Sequence, residues 1–320
     1  MDATTPRKGR FRTGPRISRY TGEPLALELQ DEDAKLLHSL AFHYHYLSPQ
    51  YIAPLWGRSY NATTIRTAKL LDCGYLRLAP EQQHNSKHYF RGPLFYAIAK
   101  KGVKALQERG INPPKRTAPT NLRHQVMVDQ MMASIEIGVN QSPHLNISWW
   151  EQILVSQKTP EATRKSGSAY VLLGTDTRGD KRYLHADGQP FILQRSFTEK
   201  TEYMFFIGKE ADCDTESIPV IEEKFGNYVE MLLGKLHTIH FGARRATVIV
   251  GAPTEARLLK LMAAWEKVTA KHTDLRKAML FVKHPTFQSF ENPRPTGHMT
   301  TEPLRRVGLP PIILGKPQEV

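Results

Sequence analysis

One stretch decides the fold of the second half of the chain: Tyr203-Met204-Phe205-Phe206-Ile207-Gly208-Lys209-Glu210-Ala211-Asp212-Cys213-Asp214-Thr215-Glu216. Its apolar part predicts a buried strand, and four carboxylates follow within seven residues. Like charges this close repel one another, so solvent, a cationic side chain or a divalent metal ion must offset the repulsion. Hard oxygen ligands at the end of a core strand suit Mg²⁺. A solvated acidic loop after a strand is the alternative interpretation.

The segments around this strand predict an α/β domain over residues 120–284. Apolar spacing predicts helices over 120–138, 218–237 and 254–270. Short apolar and β-branched runs predict strands over 147–155, 169–173, 182–184, 191–193, 202–209, 247–250 and 278–282, with a polar loop over 160–167. This order of helix, several strands, helix, strand, helix and strand is that of the restriction-endonuclease-like core. The prolines of residues 285–320 predict an extended tail that docks through Pro310-Pro311-Ile312-Ile313-Leu314.

A metal site follows from the acids at two predicted strand ends. In the restriction-endonuclease-like core, an acid after a turn is followed by acid-x-lysine on the next strand. Asp187, in the turn Asp187-Gly188, and Glu210 match the two acids and are the predicted Mg²⁺ ligands. Asp212 stands where the lysine is expected, and we predict that it helps to ligate or orient the ion.

Two lysines are candidates to replace the missing one. Lys209 adjoins Glu210, but strand alternation turns it to the opposite face. Lys224 lies one or two turns into the next predicted helix, from which it can reach back to the acids. A surface lysine on an amphipathic helix is the alternative interpretation of Lys224. The predicted catalytic set is therefore Asp187, Glu210, Asp212 and Lys224.

Positive charge concentrates in the first third of the chain. Residues 1–120 hold 19 Lys and Arg against 9 Asp and Glu, whereas residues 121–320 hold 25 against 22, within a total of +13. Residues 1–30 begin with six basic residues and one acid among glycine and proline, which predicts a disordered basic arm. This imbalance favours a polyanion as the partner of the first third.

Residues 31–112 have the element order of a winged helix-turn-helix domain. Helices are predicted over 33–44, from Ser48-Pro49, and over 62–73 with Asn61 as the cap. A strand at 75–78, a polar turn over 81–88, a return strand over 89–98 and a helix from Lys100 follow, and 113–119 is a proline-rich linker. Three helices followed by a β-hairpin are typical of the winged helix. The fold class is thus α/β (α+β): an N-terminal winged helix-turn-helix domain, then a restriction-endonuclease-like domain.

The third helix supplies most of the predicted contacts to double-stranded DNA. Ile65, Ala68 and Leu71 are predicted to face inward, which leaves a face of hydroxyls and cations for the groove. The turn and the return strand add basic residues. The predicted DNA contacts are Asn61, Thr63, Thr64, Arg66, Thr67, Lys69, Lys87, His88 and Arg91.

Together these features resemble the replication-relaxation family of plasmid and mobile-element proteins, over about residues 33–283. The resemblance lies in the winged helix, in His124 at the start of the helix after the linker, and in Asp187-Gly188. It is strongest at Glu210-Ala211-Asp212-Cys213-Asp214-Thr215-Glu216-Ser217, which looks like that family's acid-x-acid-x-x-threonine-glutamate signature. Lys224 and Tyr228 follow where the family places a lysine and a tyrosine, and Asp214 stands where a glycine is usual.

The resemblance implies DNA binding in plasmid replication, relaxation or transfer, without establishing a reaction. We therefore keep three hypotheses: a double-stranded DNA-binding protein of a plasmid or phage, including transcription control; a Mg²⁺-dependent endonuclease or nickase; and an adaptor whose acidic loop binds a basic protein. Replication, transfer or transcription proteins are the expected partners. A homodimer is a further expectation, although no coiled-coil heptad is present.

Composition limits the classes of protein to which the chain can belong. No apolar run approaches the roughly 20 residues needed to cross a bilayer, so no membrane partner is expected. Two distant cysteines, Cys73 and Cys213, lack metal-ligand spacing and fit reduced thiols. Together with the absence of an apolar leader, they favour a cytoplasmic protein.

Overall fold

The computed structural model describes Arg16 and residues 25–83, 93–116, 119–197, 201–284 and 295–317. These residues form two compact units, the first ending at Leu122 and the second beginning at Arg123. The mixed α/β class predicted from the sequence is confirmed. None of the described helices combines the length and apolar character needed to cross a bilayer.

The first unit contains three helices, then strands and a last helix. The elements are α1 Asp31–Phe42, α2 Pro49–Trp56, α3 Tyr60–Asp72, β1 Leu76–Leu78, α4 Pro80–Gln83, β2 Tyr96–Ile98 and α5 Lys100–Glu108. Strands β1 and β2 pair antiparallel, and Leu47 forms a bridge with Tyr96. Leu37, Ile52 and Leu70 are fully buried in the core. Of the predicted basic arm, Arg16 and residues 25–30 are described, and the Arg16 guanidinium pairs with Asp72 at 3.2 Å.

Helix α3 is rotated about its axis from the predicted orientation. It begins after Ser59, whose hydroxyl accepts a hydrogen bond from Ala62 N–H, so Asn61 is not the cap. The buried stripe is Thr63, Thr67 and Leu70, whereas Ile65 is 60% exposed. The prediction that Ile65 and Ala68 face inward is therefore wrong.

The physical reason is that threonine can satisfy its hydroxyl inside a helix. Thr63 Oγ1 donates to the carbonyl of Ser59 at 3.0 Å, and Thr67 Oγ1 donates to the carbonyl of Thr63 at 2.9 Å. A hydroxyl that already has an acceptor can be buried at little cost. The methyl groups then pack inward at the helical spacing that leads to Leu70.

The second unit is built on a mixed sheet. Its helices are α6 Leu122–Asn140, α7 Trp150–Val155, α8 Glu161–Ser166, α9 Ile218–Leu233, α10 Leu236–Phe241, α11 Glu255–Val268 and α12 His298–Thr301, with a 3₁₀ helix at Thr273–Ala278. Its strands are β3 Leu145–Ser148, β4 Val171–Thr175, β5 Lys181–Leu184, β6 Phe191–Arg195, β7 Glu202–Ala211, β8 Thr247–Ala252, β9 Met279–Lys283, β10 Leu304–Arg306 and β11 Leu309–Ile312.

Seven of these strands form one sheet in the order β11-β10-β9-β8-β7-β6-β3. Strands β7, β8 and β9 are parallel, and the other neighbours are antiparallel. Strands β4 and β5 pair separately as a hairpin. The core lies between the sheet and the helices α9 and α11, where Phe225 meets Trp265 and Phe281 edge to face. The β-branched run at 247–250 occupies the centre of the sheet, as buried parallel strands require.

Several predicted elements are wrong in type or extent. The strand predicted over 147–155 ends at Ser148, and helix α7 follows because Trp150 and Ile153 bury one helical face. The loop predicted over 160–167 contains helix α8, which Gly167 ends with a φ of 65°. The helix predicted over 218–237 ends at Leu233, and Lys235 then takes a φ of 51°.

The described part of the predicted tail is an edge of the sheet rather than a separate extension. Strand β10 pairs with β9, and β11 pairs with β10. Leu314 is fully buried and Ile312 nearly so. Of the predicted docking segment, Ile312 and Leu314 pack inward whereas Pro310 and Pro311 are exposed, and helix α12 precedes the two strands. The tail lies at the edge of the sheet because its apolar side chains and its strands cover an edge that would otherwise be open.

Candidate functional site

The candidate site lies where the parallel strands β7 and β8 end. Glu210 stands next to the last residue of β7, with Ala211 in register with Gly251 of β8. The side chain of Glu210 is 4% exposed. Asp187 lies in the turn between β5 and β6, and its Oδ2 accepts a hydrogen bond from Ala211 N–H at 2.9 Å. The carboxyl ends of parallel strands are where α/β proteins bind ligands.

A glycine in β7 allows this turn to approach the strand. A Cβ on Gly208 would lie 2.5 Å from Ala186 Cβ and 2.7 Å from the carbonyl oxygen of Gly188. Neither atom is at the end of a flexible side chain. A side chain at position 208 would therefore separate Asp187 from the end of β7.

Lys224 contacts both acids. It lies on α9, which begins after Ser217, and its Nζ is 3.5 Å from Asp187 Oδ1. The same ammonium forms an ion pair with Glu210 Oε2. The predicted contact of Lys224 with the acids is observed. Buried Lys209 packs against Gly188.

Two further side chains fix the acids. Tyr228, one turn beyond Lys224 on α9, is fully buried and donates a hydrogen bond from its hydroxyl to Glu210 Oε1. His124, at the start of α6, has its Nε2 3.0 Å from Asp187 Oδ2. Asp187 therefore has one carboxylate oxygen toward Lys224 and the other toward His124. Glu210 has one toward Lys224 and the other toward Tyr228.

The two carboxylates differ in protonation behaviour. Burial raises the pKa of Glu210 well above its ordinary value, and the charge of Asp187 raises it further, against the opposing effects of Lys224 and Tyr228. Burial would also raise the pKa of Asp187, but the hydrogen bond from His124, the charges of Lys224 and His124 and the Ala211 N–H lower it. Asp187 is thus the ionised acid, and Glu210 is the acid that retains a proton more readily.

The pKa values of His124 and Lys224 are shifted toward the charged forms of these two side chains. The hydrogen bond to Asp187 raises the pKa of His124 despite its partial burial. Burial lowers the pKa of Lys224, but Glu210 and Asp187 outweigh burial and raise it. Titratable groups with opposed shifts that meet in one cleft are typical of functional sites.

Asp212 is tied to an arginine that the sequence interpretation missed. Arg257, near the start of α11, donates from Nε to Asp212 Oδ1 at 2.9 Å and from Nη2 to Oδ2 at 2.7 Å. Both side chains are buried. The Arg257 guanidinium also donates to the carbonyl of Glu216 at 2.7 Å. Asp212 therefore anchors the acidic segment to α11. It also lines a small cavity together with Asp187 and Glu210, and its contribution to a metal site stays a prediction.

No sequence pattern pointed to Arg257, because it follows Asp212 by 45 residues along the chain. Asp214 stands where the family usually has a glycine, and its φ is 61°, in the left-handed region that favours glycine. Its N–H donates to Asp212 Oδ1 at 2.6 Å. An aspartate tolerates this conformation better than most side chains.

A small cavity lies against the two acids. Its volume is about 40 Å³, and it is lined by Asp187, Glu210, Asp212, Lys224, His124 and Cys213 among others. This space is enough for a water molecule or a small cation. Burial raises the pKa of Cys213 to about 12, so its thiol is a poor nucleophile.

Asp187 and Glu210 are the pair that fits a divalent cation. Their Oδ1 and Oε2 atoms share one cationic partner, Lys224. Both are hard oxygen donors of the kind that Mg²⁺ prefers. Burial, and then the charge of Asp187, raise the pKa of Glu210, so a bound cation would stabilise its ionised form.

Eight of the nine predicted DNA contacts in the first unit divide into three groups. Asn61 and Lys69 are exposed and Thr64 is partly exposed, so their positions agree with contact to DNA. Thr63 and Thr67 are fully buried, which contradicts their predicted outward orientation. Lys87, His88 and Arg91 lie outside the described residues.

Arg66 is also held within the protein. Its Nε donates to Asp33 Oδ1 at 2.9 Å, its Nη2 pairs with Asp33 Oδ2, and Nη2 donates to the carbonyl of Glu28 at 3.0 Å. Asp33 is fully buried, so Arg66 neutralises a core carboxylate. The predicted contact of Arg66 with DNA is not supported by this arrangement.

Comparison with known proteins agrees with the resemblance. Residues 37–243, more than half of the chain, match the model of the replication-relaxation family. The matched range covers α3, the Asp187 turn, the end of β7 and the Lys224 and Tyr228 positions of α9. No curated protein and no solved structure matches the chain.

Proposed function

Because this chain belongs to the replication-relaxation family, we propose that it is a DNA-binding protein that acts in the replication or relaxation of a mobile element. The first unit is the proposed duplex-binding module, with α3 as its recognition helix. Support comes from the excess of 19 Lys and Arg over 9 Asp and Glu in residues 1–120. The order of three helices before the antiparallel β1 and β2 also supports a winged helix.

Lys69→Ala tests this function at the exposed face of α3. Each phosphate contact contributes about 0.9 to the slope of log affinity against log salt. We expect Lys69→Ala, alone and with Asn61→Ala, to weaken duplex binding and to flatten that slope by about one unit. Lys35→Ala, an exposed lysine on α1, is the matched control. If Lys69→Ala binds duplex as wild type does at every salt concentration, α3 is not the recognition helix.

A second function, metal-dependent cleavage of a DNA phosphodiester, is favoured by one observation. Lys224 lies against both Asp187 and Glu210 at the carboxyl end of β7. Two acids and a lysine are the side chains that the restriction-endonuclease-like pattern requires, with the lysine supplied here by a helix. We propose that Asp187 and Glu210 hold Mg²⁺ and that Lys224 stands beside the attacked phosphate.

The protein side chains have distinct parts in this proposal. When bound, Mg²⁺ neutralises phosphate charge and lowers the pKa of a coordinated water. His124 orients Asp187 and keeps it ionised, and Tyr228 orients Glu210. Lys224 adds positive charge that complements a phosphate. Asp212 and Arg257 hold the backbone of the acidic segment in place.

Nicking of supercoiled plasmid in Mg²⁺ or Mn²⁺ tests the second function. We expect Glu210→Gln and Lys224→Ala to lose activity by at least about 100-fold. Glu223→Gln, an exposed glutamate beside Lys224, and Lys260→Ala are the matched controls. Nicking by Glu210→Gln at the wild-type rate would exclude this site as its source.

The adaptor hypothesis has less support. It requires exposed acids, but Glu210 and Asp212 are buried. Asp214 and Glu216 are exposed, and Asp214 lies 3.3 Å from Arg257. A basic partner would therefore meet at most half of the acidic segment.

A further inference from the structure

A second and larger cavity lies at the opposite end of the parallel strands from Asp187 and Glu210. Its volume is about 490 Å³. It reaches Phe205 of β7, Thr247 at the start of β8 and Ala278, just before β9. The register of β7 with β8 pairs Phe206 with Thr247 here and Ala211 with Gly251 at the other end. This cavity is therefore distinct from the candidate metal site.

The lining of this cavity is strongly cationic. It includes two acids, Glu202 and Asp274, against six cationic residues: Arg195, Lys235, Arg244, Arg245, Lys277 and Arg306. Lys235, Arg244, Arg245 and Lys277 form no ion pair with any carboxylate in the described part of the chain. A concave surface lined by one sign of charge concentrates ligands of the opposite sign.

A buried arginine adds an independent observation. Arg195 lines the cavity and is 1% exposed, and one Nη pairs with Glu202 at 3.2 Å while the other donates to the carbonyl of Lys316. Its Nε has no hydrogen-bond acceptor among the described residues. Arg195 thus places a guanidinium in the wall of the cavity, held by protein contacts. The exposed cations beside it, Lys235, Arg244, Arg245 and Lys277, are the ones that a ligand can reach.

The size and the apolar lining narrow the class of ligand. A volume of about 490 Å³ lies within the range of small-molecule sites. Tyr203, 68% exposed, lines the cavity beside Phe205. An exposed aromatic ring beside arginines suits a base next to its phosphate, since bases stack on tyrosine.

We propose that this cavity binds a nucleotide, with its phosphate at the cationic residues and its base on Tyr203. The nucleotide is either free or the unpaired part of a DNA strand, and the test separates these two sources. Nucleotide binding in this cavity requires neither duplex binding by α3 nor a metal ion at Glu210. Its test is therefore independent of the tests of the proposed function.

Calorimetric titration of the full chain tests it, with dATP, a ten-nucleotide single strand and inorganic phosphate as probes. The variants are Arg244→Glu with Arg245→Glu, and Tyr203→Ala. The control is Lys181→Glu with Lys260→Glu, two exposed lysines outside the cavity lining with the same change of charge. Arg244→Lys with Arg245→Lys keeps the charge and tests rescue.

We expect the glutamate pair to weaken nucleotide binding at least about tenfold and the control pair to leave it within about twofold. Tyr203→Ala should weaken binding of dATP or of the strand but not of phosphate. Binding of dATP identifies a free nucleotide, and binding of the strand alone identifies DNA. If the glutamate pair does not fold, Lys235→Ala with Lys277→Ala takes its place. The proposal is overturned if neither nucleotide probe binds, or if the cavity variants bind them as the control does.

Discussion

Arg257 holds Asp212 through both carboxylate oxygens, at 2.9 and 2.7 Å, across 45 residues of sequence. This pair changes the interpretation of the acidic segment after β7. Glu210 points to Lys224, whereas Asp212, two residues on, is neutralised by α11. Both acids line the small cavity, and Asp212 also fixes the backbone that carries them.

Removal of Arg257 should destabilise the second unit. Arg257→Met leaves the Asp212 carboxylate buried without its partner, which typically costs about 3–5 kcal/mol. We expect the double variant Arg257→Met with Asp212→Asn to recover a large part of this loss. Urea denaturation measures all three proteins. Additive losses in the double variant would mean that the two residues act independently.

Arg66 should contribute to stability rather than to sequence recognition. Arg66→Ala leaves the fully buried Asp33 carboxylate without its cation, so we expect a loss of about 3 kcal/mol. Lys69→Ala, on the exposed side of the same helix, should change stability by less than about 0.5 kcal/mol. Thermal denaturation of both variants measures the two losses of stability. Equal stability of the two variants would contradict a structural role for Arg66.

Glu210 should make the protein less stable as pH rises. Its pKa in the folded protein is raised above the ordinary 4.5, mainly by burial, so the folded state binds the proton more tightly than the unfolded state. The resulting stability is fully present below pH 4.5 and is lost as pH rises through the folded pKa. Relative to wild type, Glu210→Gln should therefore gain stability with rising pH, by at most about 1.4 kcal/mol per unit.

Urea denaturation between pH 4 and 8 measures this difference, with Glu223→Gln as the exposed control. A difference that shrinks as pH rises would show that Lys224 and Tyr228 dominate and lower the Glu210 pKa. The same linkage predicts that Mg²⁺ binding strengthens with rising pH, since binding must displace the proton.

His124 should titrate above its ordinary pKa of 6.5, because it shares a hydrogen bond with Asp187. We expect Asp187→Asn to lower the His124 pKa, and Glu223→Gln to leave it unchanged. NMR titration of the imidazole signal, assigned with His124→Gln, measures the shift. The stability from this pair is present below pH 6.5 and is lost as pH rises through the folded pKa of His124. A His124 pKa that is the same in Asp187→Asn would rule out the contact in solution.

Substitution by alanine should have opposite effects on stability at two glycines of the second unit. Gly208→Ala places a Cβ 2.5 Å from Ala186 Cβ and 2.7 Å from the Gly188 carbonyl, so we expect a loss of about 1–3 kcal/mol. Gly226, within α9, has no atom within 4 Å of such a Cβ. Gly226→Ala should stabilise the protein by about 0.5–1 kcal/mol. Denaturation in urea compares the stability of the two variants. If Gly208→Ala leaves the stability unchanged, the Asp187 turn is not packed against β7.

The sequence predicted the buried strands because each one is a local apolar run. The runs at 202–209 and 247–250 fall inside β7 and β8, and the helix after the acidic segment starts where predicted. Local patterns failed where helix and strand spacing cannot be told apart over a few residues. Trp150 and Ile153, for example, fit a strand from 147 as well as the helix that forms.

The sequence also identified the candidate acids, since Asp187 and Glu210 follow strand-like runs, and it placed Lys224 within reach. It could not identify which of these acids an arginine neutralises. Glu210 and Asp212 are equivalent in the sequence, and only the packing of α11 brings Arg257 to one of them.

By itself, then, the sequence determined the α/β class, the order of most elements and the acids at the strand ends, because these depend on neighbours along the chain. Only the tertiary structure decided which side of α3 is buried, that the tail completes the sheet, and that Lys224 joins Asp187 to Glu210. Those outcomes depend on which distant residues meet, and charge neutralisation and burial select among alternatives that the local sequence leaves equal.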